Sequence, residues 1–310
     1  MKLNSRLHLY AGIHTQYFSL NDHFSIEPRA SVKWNINARH TLAAGYGRHS
    51  QLEMLQIYFI TSGTNNGALY PNKNLDFSKA HHFVIAYDLN ISEYVRLKIE
   101  PYYQKLYNIP VKPMGTFSMV NLKQDWFIND ILINTGTGTN IGVDVTLEKF
   151  LKNGFYYLFT ASVFDSDYTG GDGATRNTLY NKGYLMNVLV GKEWKVGRNK
   201  NNMLSVNGRI NLMGGDWMSP VDEMASHEAK TVIYDDSRAF EEQMPAMQLV
   251  HFTLNYQRNK SRHASIWSFQ LLNAFGKPEF YGYKYNLMTN EIEPDQDELI
   301  MPNISYKIQF

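Results

Sequence analysis

The feature that most constrains this chain is a two-residue alternation of apolar and polar side chains that recurs along nearly its whole length. In residues 24–37, Ile26, Pro28, Ala30, Val32, Trp34 and Ile36 form one set, and Glu27, Arg29, Ser31, Lys33 and Asn35 form the other. Further on, Val95, Leu97, Ile99, Pro101 and Tyr103 oppose Arg96, Lys98, Glu100, Tyr102 and Gln104. Ile141, Val143, Val145 and Leu147 oppose Gly142, Asp144, Thr146 and Glu148, and Leu204, Val206, Ile210 and Leu212 oppose Ser205, Asn207, Arg209 and Asn211. Successive side chains of a strand point to opposite faces, so each segment predicts a strand with one greasy and one wet side. A helix is disfavoured, since interior prolines such as Pro28 and Pro101 would cost it ~3 kcal/mol each.

The alternation predicts roughly twelve strands. They fall near 6–18, 24–37, 40–48, 80–90, 94–107, 139–150, 154–165, 181–194, 202–213, 247–258, 263–272 and 300–310. Many are about ten residues long, the length a tilted strand needs to cross a bilayer. Tight connections near 38–39, 91–93, 151–153, 196–201 and 259–262 alternate with long ones near 49–79, 108–138, 166–180, 214–246 and 273–299. Outer-membrane barrels place short turns in the periplasm and long loops outside. Counting back from a last strand that ends in the periplasm puts every tight turn on the periplasmic side.

Two features separate such a barrel from a soluble β-sandwich, which also alternates. Formal charges (Glu27, Arg29, Lys33, Arg96, Lys98, Glu100, Asp144, Glu148, Glu193 and Arg209) sit on the polar face, the expected lumen and plug-facing side. A charge on the lipid face would cost ~2–4 kcal/mol near the midplane. Aromatic residues gather near strand ends on the apolar face: Trp34, Phe155, Trp194 and Tyr256 on the periplasmic side, and Tyr17, Tyr46, Phe83, Tyr103 and Tyr184 on the outer side. Rings with an apolar body and a polar tip suit membrane interfaces. With 21 Tyr, 17 Phe and 5 Trp the chain is rich in rings, yet no apolar run approaches a membrane-spanning helix. The net charge of +1 gives no case for nucleic acid as a partner. The absence of Cys removes thiol catalysis and disulfides. The fold class is therefore all-β: an antiparallel transmembrane barrel segment of about twelve meandering strands.

The stretches EPRASVKWNI, HTLAAGYGRHSQLEMLQIYF, KIEPYYQKLYNIPV, NTGTGTNIGVDVTLEKFLKNGFYYLFTASVFDSDY and NKGYLMNVLVGKEW resemble the barrel of TonB-dependent receptors. The branch they resemble often carries an N-terminal carboxypeptidase-regulatory-like domain. The resemblance covers nearly all of residues 1–310 and implies an energised importer of the Gram-negative outer membrane. In that family a barrel of about twenty-two strands encloses a plug, and a TonB box couples it to the inner membrane. Signal peptide, TonB box, plug and about half the strands are not found in this sequence, so the resemblance implies the C-terminal portion of a receptor, a fragment not competent alone. Its implied partners are outer-membrane lipid, the rest of the receptor chain, TonB through the N-terminal region, the barrel assembly machinery and a surface lipoprotein. A self-contained passive pore of about twelve strands and an adhesive or structural barrel are the alternatives.

No cofactor is expected, and no enzyme. A lipid-facing hydrolase needs a Ser–His pair at the apolar surface, and no His is expected on the apolar face of a strand. His8, His14 and His251 fall on the wet face, and the adjacent His81 and His82 point opposite ways. The loop DSDYTGGDGATR imitates a calcium loop at Asp165, Asp167 and Gly170, but Thr169 and Arg176 occupy ligand positions. A looser calcium site through Asp165, Asp167 and Asp172 is the remaining metal candidate. The acidic run Glu291, Glu293, Asp295, Asp297 and Glu298 is expected to be a solvated outer loop. Trp217 and Tyr234, in the long loop 214–246, are candidates to stack on a ligand. At the C-terminus Ile304, Tyr306, Ile308 and Phe310 resemble the signature that the assembly machinery recognises in outer-membrane barrels.

Overall fold

Strand follows strand in the computed structural model, which describes residues 4–64, 67–122 and 128–310. The long connections at 49–79 and 108–138 therefore each include positions outside the described residues. Twelve long strands pair in sequence order as one antiparallel meander. They are β1 Leu7–Phe18, β2 His23–Asn35, β3 His40–Gln51, β4 Ser78–Ser92, β5 Val95–Val111, β6 Ile133–Lys152, β7 Phe155–Thr169, β8 Tyr184–Val196, β9 Asn202–Met213, β10 Met247–Asn259, β11 Ala264–Leu272 and β12 Met301–Gln309. Each corresponds to a segment that the alternation predicts.

The largest departures are in β5, β6 and β7, whose outer ends run on to Val111, back to Ile133 and on to Thr169. The register of β5 on β6 shifts between Leu106 and Ile109 and again before Val111. These shifts break the two-residue period, so pairing continues where no alternation remains visible. Pro101 lies inside the sheet, where proline removes a ladder hydrogen bond. The register nonetheless continues past it, with Val84 opposite Tyr102 and Tyr87 opposite Ile99.

Cross-strand pairing keeps the two faces apart. Leu9 stands opposite Val32, Val32 opposite Ala44, Ala44 opposite Ile85, and Pro101 opposite Val143. This apolar face is open: Ile13 is 73% exposed and Ile85 52%. Among the described residues β1 and β12 each pair on one side only, leaving two free edges, and all of β12 is exposed. At the tight turn between β6 and β7, Asn153 and Gly154 adopt φ of 55° and 70°, the left-handed pair that a two-residue hairpin favours. A Cβ on Gly154 would lie 2.2 Å from the Glu193 carbonyl oxygen, so only glycine fits there.

The buried core sits in the long connections. The short helix α1 (Leu55–Tyr58) supplies Ile57 and Tyr58, which cluster with Leu75, Ile109, Met119 and Leu132. Phe18 of the first hairpin packs on Tyr58 with centroids 5.0 Å apart. Asn72, fully buried, donates to the Asp130 carbonyl at 3.0 Å and accepts from the Leu132 amide at 2.9 Å, which ties the two connections together. Later connections also fold: α2 (Glu223–Ala229) is capped by Asp222, which accepts from the Ala225 amide. A hairpin pairs Glu279–Asn286 with Glu291–Asp297. The acidic run is thus largely strand rather than irregular loop.

Candidate functional site

The wet face carries the expected charges, and the structure brings most of them together in pairs. Glu27, 1% exposed, accepts from Arg29 at 2.7 Å, from Gln16 at 2.5 Å and lies 3.2 Å from His14 Nδ1. Arg96 grips Asp88 with two nitrogens, its Nε at 2.8 Å, and reaches Glu148 at 3.6 Å. Lys98 pairs with Glu100 at 2.7 Å, and Asp144 accepts from Ser162 at 2.6 Å. Lys33, Glu193 and Arg209 lie on the same face, opposite His8, Ser205 and His251 respectively. Asp88 completes the Arg96 pair and was missed in the sequence, although its parity after Val84 and Ala86 places it on this face.

A polar bay of about 610 Å³ opens on this face, lined by Glu100, Tyr102, Gln104, Asn140, Asp144, Ser166, Tyr180 and Lys182 among others. Asn140 donates to Gln104 at 3.0 Å and accepts from Ser166 at 2.6 Å. Such a surface of carboxylates, amides and hydroxyls can hydrogen-bond a polar ligand or the loops of a plug. Nearer the outer mouth, His49 and His82 face one another with ring centroids 4.5 Å apart. They share a hollow with Glu53, Ser78 and Met119.

The two loop candidates each contact a neighbouring segment. Trp217 Nε1 donates to the Asn181 carbonyl at 2.6 Å, and its amide donates to Leu179 at 2.9 Å. Tyr234, 37% exposed, bridges to Val221, and a Cβ on Gly282 would come within 3.1 Å of its hydroxyl. His227 of α2 meets Tyr285 at 3.1 Å, so the last two long connections lean on each other.

Of the three calcium candidates, Asp165 and Asp167 share one face of β7, and Asp172 is drawn off to Arg176. Asp165 accepts from Asn181 at 2.7 Å, while Asp172 pairs with Arg176 at 2.7 Å. The Arg176 guanidinium holds the Asp172 carboxyl below the usual carboxylate range. Asp165 and Asp167 stand opposite Ile141 and Thr139, on the outward parity. Among the described residues no group of three or more His, Asp and Glu side chains is placed to hold a metal ion.

The expectation that no histidine lies on the apolar face is corrected. His40 bonds Tyr87 at 2.7 Å, and His81 bonds Tyr46 at 2.9 Å, both on the outward parity. Both sit at strand ends among rings, where an imidazole finds a phenol partner. At the C-terminus the tilted rings of Tyr306 and Trp267 lie 5.2 Å apart, and Trp267 stacks on Tyr256 at 5.8 Å. Ile304 stands opposite Phe269 and Ile308 opposite Ser265, while the Phe310 ring lies 6.3 Å from His263.

Comparison with known proteins matches this geometry through shape, not sequence. The outer membrane transporter YddB from Escherichia coli superposes with a TM-score of 0.66 at 11% identity, over 98% of this chain and 43% of that one. The fold is that of a TonB-dependent receptor barrel. The siderophore receptor PiuA from Acinetobacter baumannii gives a TM-score of 0.64 at 12% identity, over 99% of this chain and 41% of PiuA. The ferric yersiniabactin uptake receptor FyuA from Yersinia pestis gives 0.62 at 13%, over 99% and 44%. The chain thus spans about two-fifths of the length of these solved barrels. No family sequence model matches the chain, and no curated protein is similar to it by sequence.

Proposed function

We propose that this chain forms the C-terminal wall of an outer-membrane TonB-dependent receptor that takes up a nutrient ligand, working with further strands and a plug. The observation that carries the reading is a meander with segregated faces and two unpaired edges, fitting two-fifths of a receptor barrel. An open edge in hydrocarbon leaves N–H and C=O groups that cannot find water. Complementary strands remove that cost. The paired charges around Arg96 and the polar bay beside Glu100 and Asp144 offer the surface on which a plug or ligand would rest. The outward residues Ile304, Tyr306, Ile308 and Phe310 form the strand that the assembly machinery would engage.

The test expresses the chain in a Gram-negative host alone and together with the coding sequence upstream of it. Insertion into the outer membrane, read as protease protection in isolated membranes, is expected only when both are present. Ligand-dependent growth that also requires TonB is expected with them. A chain that inserts alone and conducts ions as a complete barrel would overturn the receptor reading in favour of a passive pore.

A further inference from the structure

The two ends of the sheet differ in charge. The five tight turns hold six cations (Arg39, Lys152, Arg198, Lys200, Lys260 and Arg262) and one acid, Glu93. The long connection 214–246 alone holds eight acids against Lys230 and Arg238. At the turn end a compact basic group gathers around one ring. The register sets Lys152 of β6 and Lys192 of β8 opposite Phe155, on either side of β7. Lys149 Nζ lies over the same ring, 4.7 Å from its centroid. The partners of the other two ammonium groups are neutral as well. Lys152 Nζ donates to the Tyr94 hydroxyl at 2.8 Å, and Lys192 Nζ donates to the Asn153 carbonyl at 2.9 Å.

Neighbouring acids leave this charge standing. One cross-strand row runs Val95, Lys149, Tyr157, Val190, and the next runs Lys152, Phe155, Lys192, Val206, with no Asp or Glu in either. Glu148 and Glu193 lie on the wet face, the first 3.6 Å from Arg96 and the second opposite Ser205. Glu93, in the turn between β4 and β5, acts on Lys152 less strongly than the Tyr94 hydroxyl does. Toward the middle of the wall the lysines give way to an apolar bed of Leu147, Phe159, Tyr157 and Val190, the last 42% exposed. Three like charges around one ring repel one another, and an anion among them relieves that repulsion. Ammonium groups pair with phosphate oxygens through charge-assisted hydrogen bonds.

We infer that Lys149, Lys152 and Lys192 seat the phosphate of an anionic glycerophospholipid from the leaflet on the tight-turn side, with an acyl chain lying along Tyr157 and Val190. The inference rests on the proposed membrane-wall reading. Charge and position together select the occupant. A zwitterionic lipid brings a cation of its own to meet the three lysines, and a soluble anion leaves the apolar bed uncovered.

The test uses chain extracted with its receptor from outer membranes in mild detergent and examined by native mass spectrometry. The probes are phosphatidylglycerol and phosphatidylcholine with identical acyl chains. The unaltered chain is expected to retain phosphatidylglycerol with about a tenfold preference, a step of about 1.4 kcal/mol. The Lys149→Gln/Lys152→Gln/Lys192→Gln variant should lose that preference, and the same three changes to Arg should keep it. Lys105→Gln, at the opposite end of the wall, should leave it unchanged. Equal retention of the two lipids by the unaltered chain would overturn the inference, as would an unchanged preference in the triple Gln variant. A loss as large with Lys105→Gln would also overturn it, by reducing the effect to net charge. Displacement by excess inorganic phosphate alone would overturn it in favour of a free-anion site. Sedimentation on purified peptidoglycan without lipid preference, abolished in the triple Gln variant, would overturn it in favour of a cell-wall contact. Protease protection of the membranes beforehand separates the two readings: a chain that never inserts sinks both, whereas a protected chain without preference sinks only the lipid seat.

Discussion

The wall and the outer cap of this molecule are built from the same kinds of residues and obey opposite rules. In the cap, Tyr58, Phe77 and Val111 are fully buried, as in any soluble core. In the wall, Val163 is 57% exposed and Ile304 80%, with no protein over them. The difference lies in the solvent. The cap faces water and must hide its apolar atoms inside itself. In the proposed receptor the wall faces hydrocarbon, which is as apolar as its side chains and gives them no reason to cluster. The two regions should therefore fail in different ways when altered.

The largest effect is expected from Phe77→Ala, which empties a fully enclosed site in the cap. Loss of ~3–5 kcal/mol should open the long connections to protease while leaving the wall inserted. Loss of the wall together with the cap would show that the two are a single cooperative unit. Next comes Ile85→Lys, at the middle of β4 and facing outward. A cation near the bilayer midplane costs ~2–4 kcal/mol and should reduce the protected, inserted fraction. Thr146→Lys, on the wet face of β6, serves as its contrast and should fall within ~0.5 kcal/mol. If both behave alike, the assignment of faces is wrong.

Gly154→Val should cost ~1–3 kcal/mol, because it forces a β-branched residue to φ 70° and drives a Cβ against the Glu193 carbonyl. Slower assembly of the β6–β7 hairpin is the readout, with Gly154→Asn expected to be milder. The smallest effect concerns Glu53 in the cap, whose carboxyl is raised above its ordinary range by burial. It also accepts a hydrogen bond from Ser78 at 2.5 Å. A raised folded-state pKa means that protonation favours the folded cap. That stabilisation is complete below the unfolded value of about 4.3 and is lost as pH climbs through the raised value. Glu53→Gln, always neutral, should therefore protect the cap slightly more than the native residue at pH 7. The gain should vanish near pH 4 in the same proteolysis assay.

The same contrast explains which parts were legible in the sequence. The wall is written in a strict two-residue period, so Ile141, Val143, Val145 and Leu147 declare their face without reference to anything distant. Asp144 and Glu148 declare the other face, whereas the contact of Arg96 with Glu148 across β5 and β6 emerges only from the paired strands. The cap carries no period. Ile57, Leu75 and Leu132 come from connections far apart in the chain and meet where Asn72 joins those connections. A lone asparagine in a polar loop has no sequence context that marks it as a clamp. Trp217 illustrates the middle case: its indole was visible as a loop aromatic, but its bond to the Asn181 carbonyl depends on a turn over thirty positions upstream. His81 was misplaced for a different reason. His81 and His82 point to opposite faces, and the parity that His81 shares with Phe83 puts it on the apolar one.

The exposed margin of β12 has a consequence for the timetable of biogenesis. Its outer row of amides and carbonyls is satisfied while water is present and becomes costly, by several kcal/mol for each group, once hydrocarbon replaces water. On the proposed reading, mating must therefore precede or accompany entry into the bilayer. Any segment that mates there inherits the direction and stagger that β11 has already imposed through Trp267 and Tyr306. The last strand in the chain would thus act early, as the template on which closure is copied.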